Sequence, residues 1–152
     1  MVMPAATATD LIVTITEEIR VNAPLEVTFD ALLEELGKAH AVDGDKPMPM
    51  KLEAWPGGRW YRDLGDDNGH LWGHVQAIKR PTLLEFTGPL FMSFAAANNV
   101  QYRLAPVDGG TLITFKHSAM GVIPEEQRAG MLKGWADWHE RVRKGAERAA
   151  RS

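Results

Sequence analysis

The sequence predicts an α+β domain in which a curled antiparallel sheet of six to seven strands wraps around one long C-terminal helix, in the order β-α-β6-α. Short apolar runs separated by turn signals fill residues 50–118, which is typical of an antiparallel meander. Apolar residues recur every three or four positions after Pro124, which indicates an amphipathic helix. Six or seven strands span about 30 Å, whereas a helix is about 10–12 Å across. The sheet must therefore curl to bury its apolar face.

The residues before Met50 predict one strand, one helix and one loop. Residues with β-branched side chains are frequent from Leu11 to Val21, which predicts the first strand. Pro24 favours a helix start, and apolar residues at helical spacing continue until Gly37. Proline, glycine and aspartate residues between Ala39 and Pro49 predict a loop in which only a short helical turn would fit.

Turn residues divide the meander, among them Asn68-Gly69 and Asp108-Gly109, which supply the positive φ of tight hairpins. Residues 88–99 are apolar without a clean strand period, and they fit either a long hairpin loop or a short helix. Either face of the strand Leu71–Ile78 could point inward. The predicted strands are Met50–Trp55, Arg59–Leu64, Leu71–Ile78, Leu83–Thr87, Val100–Ala105 and Thr111–His117.

The last helix is predicted from Pro124 to about Ala149. Glu125 and Glu126 complement the positive end of its dipole. At 1.5 Å per residue the helix is roughly 39 Å long, so it crosses the whole domain. Its apolar stripe contains Met131, Trp135, Trp138, Val142, Gly145 and Ala149.

Composition excludes several classes of protein. The chain of 152 residues has no cysteine, which excludes disulfides, thiolate zinc sites and cysteine nucleophiles. A net charge of −3 argues against nucleic acid as a partner, and no apolar run has the ~20 residues of a membrane span. Because Met1 to Asp10 lacks the pattern of a secretory signal, we expect a cytoplasmic protein. We expect a single domain over residues 1–152, with residues 1–9 disordered.

A curled sheet and a straight helix diverge toward one end, and large side chains or a ligand must fill the wedge between them. The aromatic residues and methionines of this chain are candidates to line such a cavity, although they could instead simply fill the core. We expect the segment containing Phe91, Met92 and Phe94 to form the lid. The other candidate lining residues are Trp60, Trp72, Phe86, Tyr102, Phe115, His117, Met131, Trp135 and Trp138.

His117 is the candidate catalytic residue. It shares strand parity with Ile113 and Phe115 and should therefore point inward. It is interpreted either as an acid, base or hydrogen-bonding group at the cavity mouth, or as a buried neutral histidine bound by a backbone carbonyl. His70 and His74 would lie about 13 Å apart on a strand, so we expect neither a metal site nor a cofactor.

Several short motifs occur in a characteristic order. Together they resemble the helix-grip superfamily called START/SRPBCC, and most closely the bacterial single-domain relatives of the activator of the heat-shock-protein-ninety ATPase. The resemblance covers about residues 10 to 148 and implies the helix-grip fold. The motifs are Val21-Asn22-Ala23-Pro24, Pro56-Gly57-Gly58-Arg59-Trp60, Gly73-His74-Val75 leading to Pro81, Leu84-Glu85-Phe86-Thr87, Gly110-Thr111-Leu112-Ile113-Thr114 with His117, and Gly134-Trp135.

Three functions follow from these expectations. The leading hypothesis is that the domain binds a small apolar or amphipathic molecule between sheet and C-terminal helix, as a carrier, a sensor or a stress-related protein. The second is a cyclase or hydratase that uses His117 with a nearby carboxylate or arginine. The third is an interaction module that uses the apolar segment Phe91–Ala97 to form a homodimer or to dock on a chaperone-like partner.

Overall fold

The computed structural model describes residues 11–152, so the expectation of disorder at residues 1–9 lies outside the described residues. The two helices are α1 (Leu25–Leu36) and α2 (Glu125–Ala150). The strands are β1 (Ile12–Val21), β2 (Ala41–Val42), β3 (Lys46–Pro47), β4 (Lys51–Leu52), β5 (Arg59–Gly65), β6 (Asn68–Lys79), β7 (Leu83–Gly88), β8 (Ala96–Val107) and β9 (Gly110–Gly121).

Seven strands form one curled antiparallel sheet, in the order β1-β9-β8-β7-β6-β5-β4. β1 pairs with β9, so the N-terminal and C-terminal strands of the sheet are neighbours. α2 packs against β1 and against α1, and its buried residues face the sheet. The predicted α+β fold, with a curled sheet and one long C-terminal helix, is confirmed.

A second, two-stranded sheet was not predicted. β2 and β3 pair with each other across a single 3-10 turn at Asp43–Asp45, where Gly44 has a φ of 70°. We call residues 41–47 the flap. The sequence indicated only a loop here because strands of two residues are too short to show any apolar period.

Residues 89–95 form an irregular connection between β7 and β8, which confirms the hairpin-loop interpretation of this segment. Leu90 and Met92 are buried, and the amide of Leu90 donates to the carbonyl of Trp72 at 2.7 Å. Phe91 and Phe94 are half-buried. The apolar side chains of this connection therefore pack largely against the domain itself.

β8 and β9 are longer than predicted, since they pair beyond Val100 and His117 as far as Ala96 and Gly121. Asparagine is less common in β-strands than most residues. Asn98 lies in this extension because its buried amide nitrogen donates to the carbonyls of Gly88 and Pro89. Tertiary hydrogen bonds thus override the local preference.

A register shift between β5 and β6 determines which side chains of β6 are buried. Leu71 pairs with Tyr61 and Gly73 pairs with Trp60, so Trp72 is an extra residue between the two pairs. Both Trp72 and Val75 are buried as a result, although they have opposite parity. Neither of the two alternating patterns in the sequence is correct alone.

The buried face of α2 matches the predicted stripe in its first half and differs from it in the second. Gly145 is half-buried and Ala149 is exposed, whereas His139 and Ala146 are buried. The fully matching positions are Met131, Trp135, Trp138 and Val142.

One buried hydrogen-bond chain joins α2 to two strands. The hydroxyl of Tyr102 on β8 donates to His139 Nε2 at 3.0 Å, and His139 Nδ1 donates to the carboxylate of Glu17 on β1. Tyr102 and His139 are 1% and 2% exposed. The chain therefore fixes the position of the helix over the sheet.

A second buried chain runs through His117 on β9. The indole nitrogen of Trp135 donates to His117 Nδ1 at 3.0 Å, and His117 Nε2 donates to the side-chain oxygen of Asn98 at 2.8 Å. Both ring nitrogens are occupied, which fixes a neutral imidazole. Burial lowers the pKa of His117 to about 4.

We expect the substitution Tyr102→Phe to lower the free energy of unfolding by roughly 1–3 kcal/mol, because it leaves the buried His139 Nε2 without a donor. Urea denaturation measures this loss. Tyr61→Phe is the matched control, since Tyr61 is half-buried on β5 and its ring can keep the contact with the Arg59 guanidinium. Equal stability of both variants would contradict the role assigned to the chain.

We also expect the protein to lose stability as the pH falls from 6.5 toward about 4. Over this interval the unfolded chain protonates His117 and the folded chain does not, so stability decreases by up to about 1.4 kcal/mol per pH unit. Urea denaturation at several pH values measures the slope. In the variant His117→Gln the slope should be smaller, although His40, whose pKa is also lowered, retains part of it. An unchanged slope would show that His117 does not titrate in this way.

Candidate functional site

A cleft of about 320 Å³ lies between the N-terminal half of α2, the start of the flap and the aromatic side chains Trp72 and Phe91. This volume is at the lower end of the range for pockets that hold small molecules. The lining residues are His40, Ala41, Val42, Trp72, Phe91, Gln127, Gly130, Met131, Gly134, Trp135, Asp137, Trp138 and Arg141.

Aromatic side chains form the walls of the cleft. The rings of Trp135 and Trp138 stack with an interplanar angle of 6° and a centroid distance of 5.3 Å. Trp72 meets Trp138 edge-on at 6.5 Å, and Phe91 meets Trp135 edge-on at 6.1 Å. These contacts come from α2, from β6 and from the 89–95 connection, so three separate parts of the chain build one surface.

The protein itself binds the indole N–H groups of these walls. Trp138 donates to the carbonyl of Glu35 at 2.9 Å, and Trp72 donates to His70 Nδ1 at 3.2 Å. The indole nitrogen of Trp135 is bound to His117. The tryptophan walls therefore have no free polar group to offer to a molecule in the cleft.

Two glycines of α2 border the cleft, Gly130 and Gly134. A Cβ atom added at either position would meet no heavy atom within 4 Å. Glycine in a helix interior costs up to about 1 kcal/mol relative to alanine. Their side-chain space is part of the open volume of the cleft.

Arg141 connects the flap to α2. Its guanidinium donates to the carbonyls of Ala41 and Val42 at 3.2 and 2.9 Å, and to the carboxylate of Asp45 at 2.9 Å. All three guanidinium nitrogens have a partner on the flap. The flap thereby closes one side of the cleft.

His40 lies at the inner side of the cleft, and sequence reasoning missed it. It is 3% exposed, and its ring centroid is 4.3 Å from Trp138 and 5.7 Å from Trp72. Its Nδ1 donates to the carbonyl of Met48 at 3.0 Å. Burial lowers the pKa of His40. The residue follows α1 in a segment without apolar periodicity, so no pattern in the sequence pointed to it.

The structure brings some of the predicted lining residues to the cleft and leaves others in the core. Trp72, Phe91, Met131, Trp135 and Trp138 border it. Trp60, Phe86, Tyr102 and Phe115 are fully buried outside the lining, and Phe94 is half-buried outside it. Trp60 and Phe115 pack against the wall rings from the core side. The ring centroids of Trp60 and Trp72 are 5.2 Å apart, and those of Phe115 and Trp135 are 4.7 Å apart.

The structure does not place His117 at the mouth of a cavity. It is fully buried, it does not border the cleft, and the side chains of Asn98 and Trp135 bind both of its nitrogens. This is the neutral buried histidine that the sequence allowed, with side chains in place of the expected backbone carbonyl. A proton-transfer role would require these two hydrogen bonds to break first.

Neither of the carboxylates considered from the sequence supplies an acid or base to the cleft. Glu53 binds the guanidinium of Arg59 in two places, at 2.9 and 2.8 Å, and these hydrogen bonds lower its pKa to about 2. Glu85 accepts from Asn99 and Gln101. Glu85 alternates on β7 with the buried Leu84 and Phe86, and neither carboxylate borders the cleft.

Within residues 11–152, no three histidine, aspartate or glutamate side chains converge as metal ligands would. Over the same residues, neither helix has the length and apolar composition needed to span a membrane.

Comparisons with solved structures show the same fold. An uncharacterised protein from Rhizobium leguminosarum superposes with a TM-score of 0.69 at 18% identity, over 90% of this chain and 95% of that one. A protein from Chromobacterium violaceum, CV1439, gives 0.67 at 19% identity, over 88% and 96%. The di-domain ARO/CYC protein StfQ of the steffimycin biosynthetic pathway gives 0.68 at 12% identity, over 95% of this chain and 54% of that one. This chain thus spans about half of StfQ.

No curated protein sequence matches the chain significantly. The chain does match one protein family, Activator of Hsp90 ATPase homolog 1-like protein, over residues 22–144. Those residues run from the turn before α1 almost to the end of α2, which is well over half of the chain. The resemblance inferred from the sequence motifs is confirmed, and the chain belongs to the Activator of Hsp90 ATPase homolog 1-like protein family.

Proposed function

We propose that the protein binds a small, mostly apolar molecule in the cleft between the flap, α2 and the side chains of Trp72 and Phe91. The observation that carries this proposal is the combination of open volume and aromatic walls. Well-packed protein interiors leave few voids larger than a water molecule. An apolar ligand would gain contacts with the half-buried Phe91 and with the small exposed edges of the tryptophan rings.

The composition of the walls supports an apolar ligand over a strongly polar one. The tryptophan N–H groups are satisfied by the protein, and Arg141 is occupied by the flap. Binding of an anion by Arg141 would therefore break existing hydrogen bonds. The fold of StfQ, whose name describes an ARO/CYC protein, is compatible with small-molecule binding but does not by itself assign a ligand here.

The two other functions have less support. The cyclase or hydratase hypothesis depended on His117, which is bound on both ring nitrogens and lies outside the cleft. The interaction-module hypothesis depended on Phe91–Ala97, in which Met92 is buried and Phe91 and Phe94 are half-buried. The homodimer remains a prediction, and sedimentation tests it by measuring the oligomeric state directly.

Binding is tested by tryptophan fluorescence, with a panel that contains decanoate, naphthalene and naphthol. We expect at least one of these to change the emission, because a molecule in the cleft touches Trp72, Trp135 or Trp138. The variant Gly134→Phe should weaken that binding by about tenfold or more, which corresponds to ~1.4 kcal/mol, because the new ring occupies the cleft. The variant should not be less stable, since phenylalanine has the higher helix propensity.

Ala136→Phe is the matched control. It introduces the same side chain on the same helix, at an exposed position that does not border the cleft. It should bind the panel as the wild-type protein does. If Gly134→Phe binds with unchanged affinity, or if no member of the panel affects the wild-type emission, the cleft is not the binding site we propose.

A further inference from the structure

His40 differs from the other buried histidines in its hydrogen bonds. His117 and His139 use both ring nitrogens within the protein. His40 uses Nδ1 alone, which is bound to the carbonyl of Met48, and within residues 11–152 its Nε2 has no hydrogen-bond partner.

This nitrogen is not sealed inside the protein. In the described part of the chain, every side-chain nitrogen or oxygen that is fully cut off from solvent has a hydrogen-bond partner. His40 Nε2 has none and therefore remains accessible, although the residue is 3% exposed. His40 borders the cleft, so the cleft is open volume next to its ring.

The protonation state of His40 follows from its one bond. A carbonyl oxygen only accepts, so Nδ1 must carry the hydrogen. In the neutral ring the other nitrogen, Nε2, then has a free lone pair. Burial lowers the pKa of His40, which favours this neutral form.

The other polar groups of the cleft are already engaged or lie at its rim. The three guanidinium nitrogens of Arg141 donate to the flap. The Asp137 carboxylate accepts from Lys133 at 2.8 Å, and Gln127 is exposed. His40 is thus the buried acceptor that the cleft presents to an entering molecule.

We propose that His40 Nε2 is the polar anchor of the cleft and selects flat apolar ligands that carry a hydroxyl or N–H group. This inference rests on the proposed function and deepens it, because it names the chemical class of the ligand. The ring centroids of Trp138 and Trp72 lie 4.3 and 5.7 Å from the imidazole and 6.5 Å from each other, so a flat ring that extends from the donor group meets aromatic surface. A carboxylate, which offers no hydrogen, would face the lone pair of Nε2 instead.

Two probes of nearly the same shape test the anchor. Naphthol and methoxynaphthalene share one ring system, and only naphthol has an O–H donor. We expect the wild-type protein to bind naphthol roughly fivefold more tightly, as one neutral hydrogen bond allows. In His40→Phe the two probes should bind equally, with the affinity for methoxynaphthalene little changed. His74→Gln is the control at an exposed histidine and should keep the wild-type preference.

The outcomes separate the anchor from the cleft. If methoxynaphthalene binds the wild-type protein as tightly as naphthol does, or if the preference persists in His40→Phe, the anchor is overturned while binding in the cleft stands. If neither probe binds the wild-type protein but decanoate or naphthalene does, the anchor is overturned and the proposed function stands. If no member of the panel binds either, both the anchor and the proposed function are overturned.

A measurement on the wild-type protein avoids any dependence on how His40→Phe folds. In protein with isotope-labelled histidine, nitrogen NMR reports whether each ring nitrogen carries a hydrogen. We expect His40 Nε2 to be unprotonated in the free protein, and its resonance to shift with naphthol and stay in place with methoxynaphthalene. A protonated Nε2 in the free protein, or the same response to both probes, would overturn the anchor.

Discussion

The buried tryptophans of this domain each need an acceptor for the indole N–H group, and this requirement determines how the elements are joined. Trp60 on β5 and Trp138 on α2 donate to the carbonyls of Leu36 and Glu35, at 2.8 and 2.9 Å. Both carbonyls belong to the last turn of α1, where a helix leaves carbonyls without internal partners. Side chains of β5 and α2 thus supply donors for carbonyls that α1 leaves without an internal partner. These hydrogen bonds fix the C-terminal end of α1 where the cleft begins. The walls of the cleft follow from this arrangement.

Three histidines with almost the same burial have different roles, and the difference lies in their hydrogen-bond partners. His139 is held between Tyr102 and Glu17, and His117 is held between Trp135 and Asn98, so each fastens α2 to the sheet. His40 has one partner and faces open volume. Burial alone would rank these residues equally as candidates for a site. The number of ring nitrogens left free distinguishes structural imidazoles from one that can meet a ligand.

The fold could be predicted from the sequence because periodicity and turn residues depend on local spacing. The strand pattern, the helix after Pro124 and the family motifs were all of this kind. The site depends on features that spacing does not encode. Trp72 reaches the cleft through a register shift, and His40 arrives from a segment without periodicity. Gly130 and Gly134 did carry a signal, since two glycines four residues apart in a helix lower its stability and indicate that space is needed on that face.

The position of the cleft also follows from how the core is filled. Phe86, Tyr102 and Phe115 are at most 1% exposed, so the space between the middle of the sheet and α2 is occupied by side chains. The aromatic cleft lies to one side of this packed region, where the glycines of α2 leave room and the start of the flap borders the open volume. A molecule bound there as proposed would lie between the flap and α2. Because the flap is attached to α2 there through Arg141, the ease with which these hydrogen bonds exchange with water should govern how fast a ligand enters and leaves.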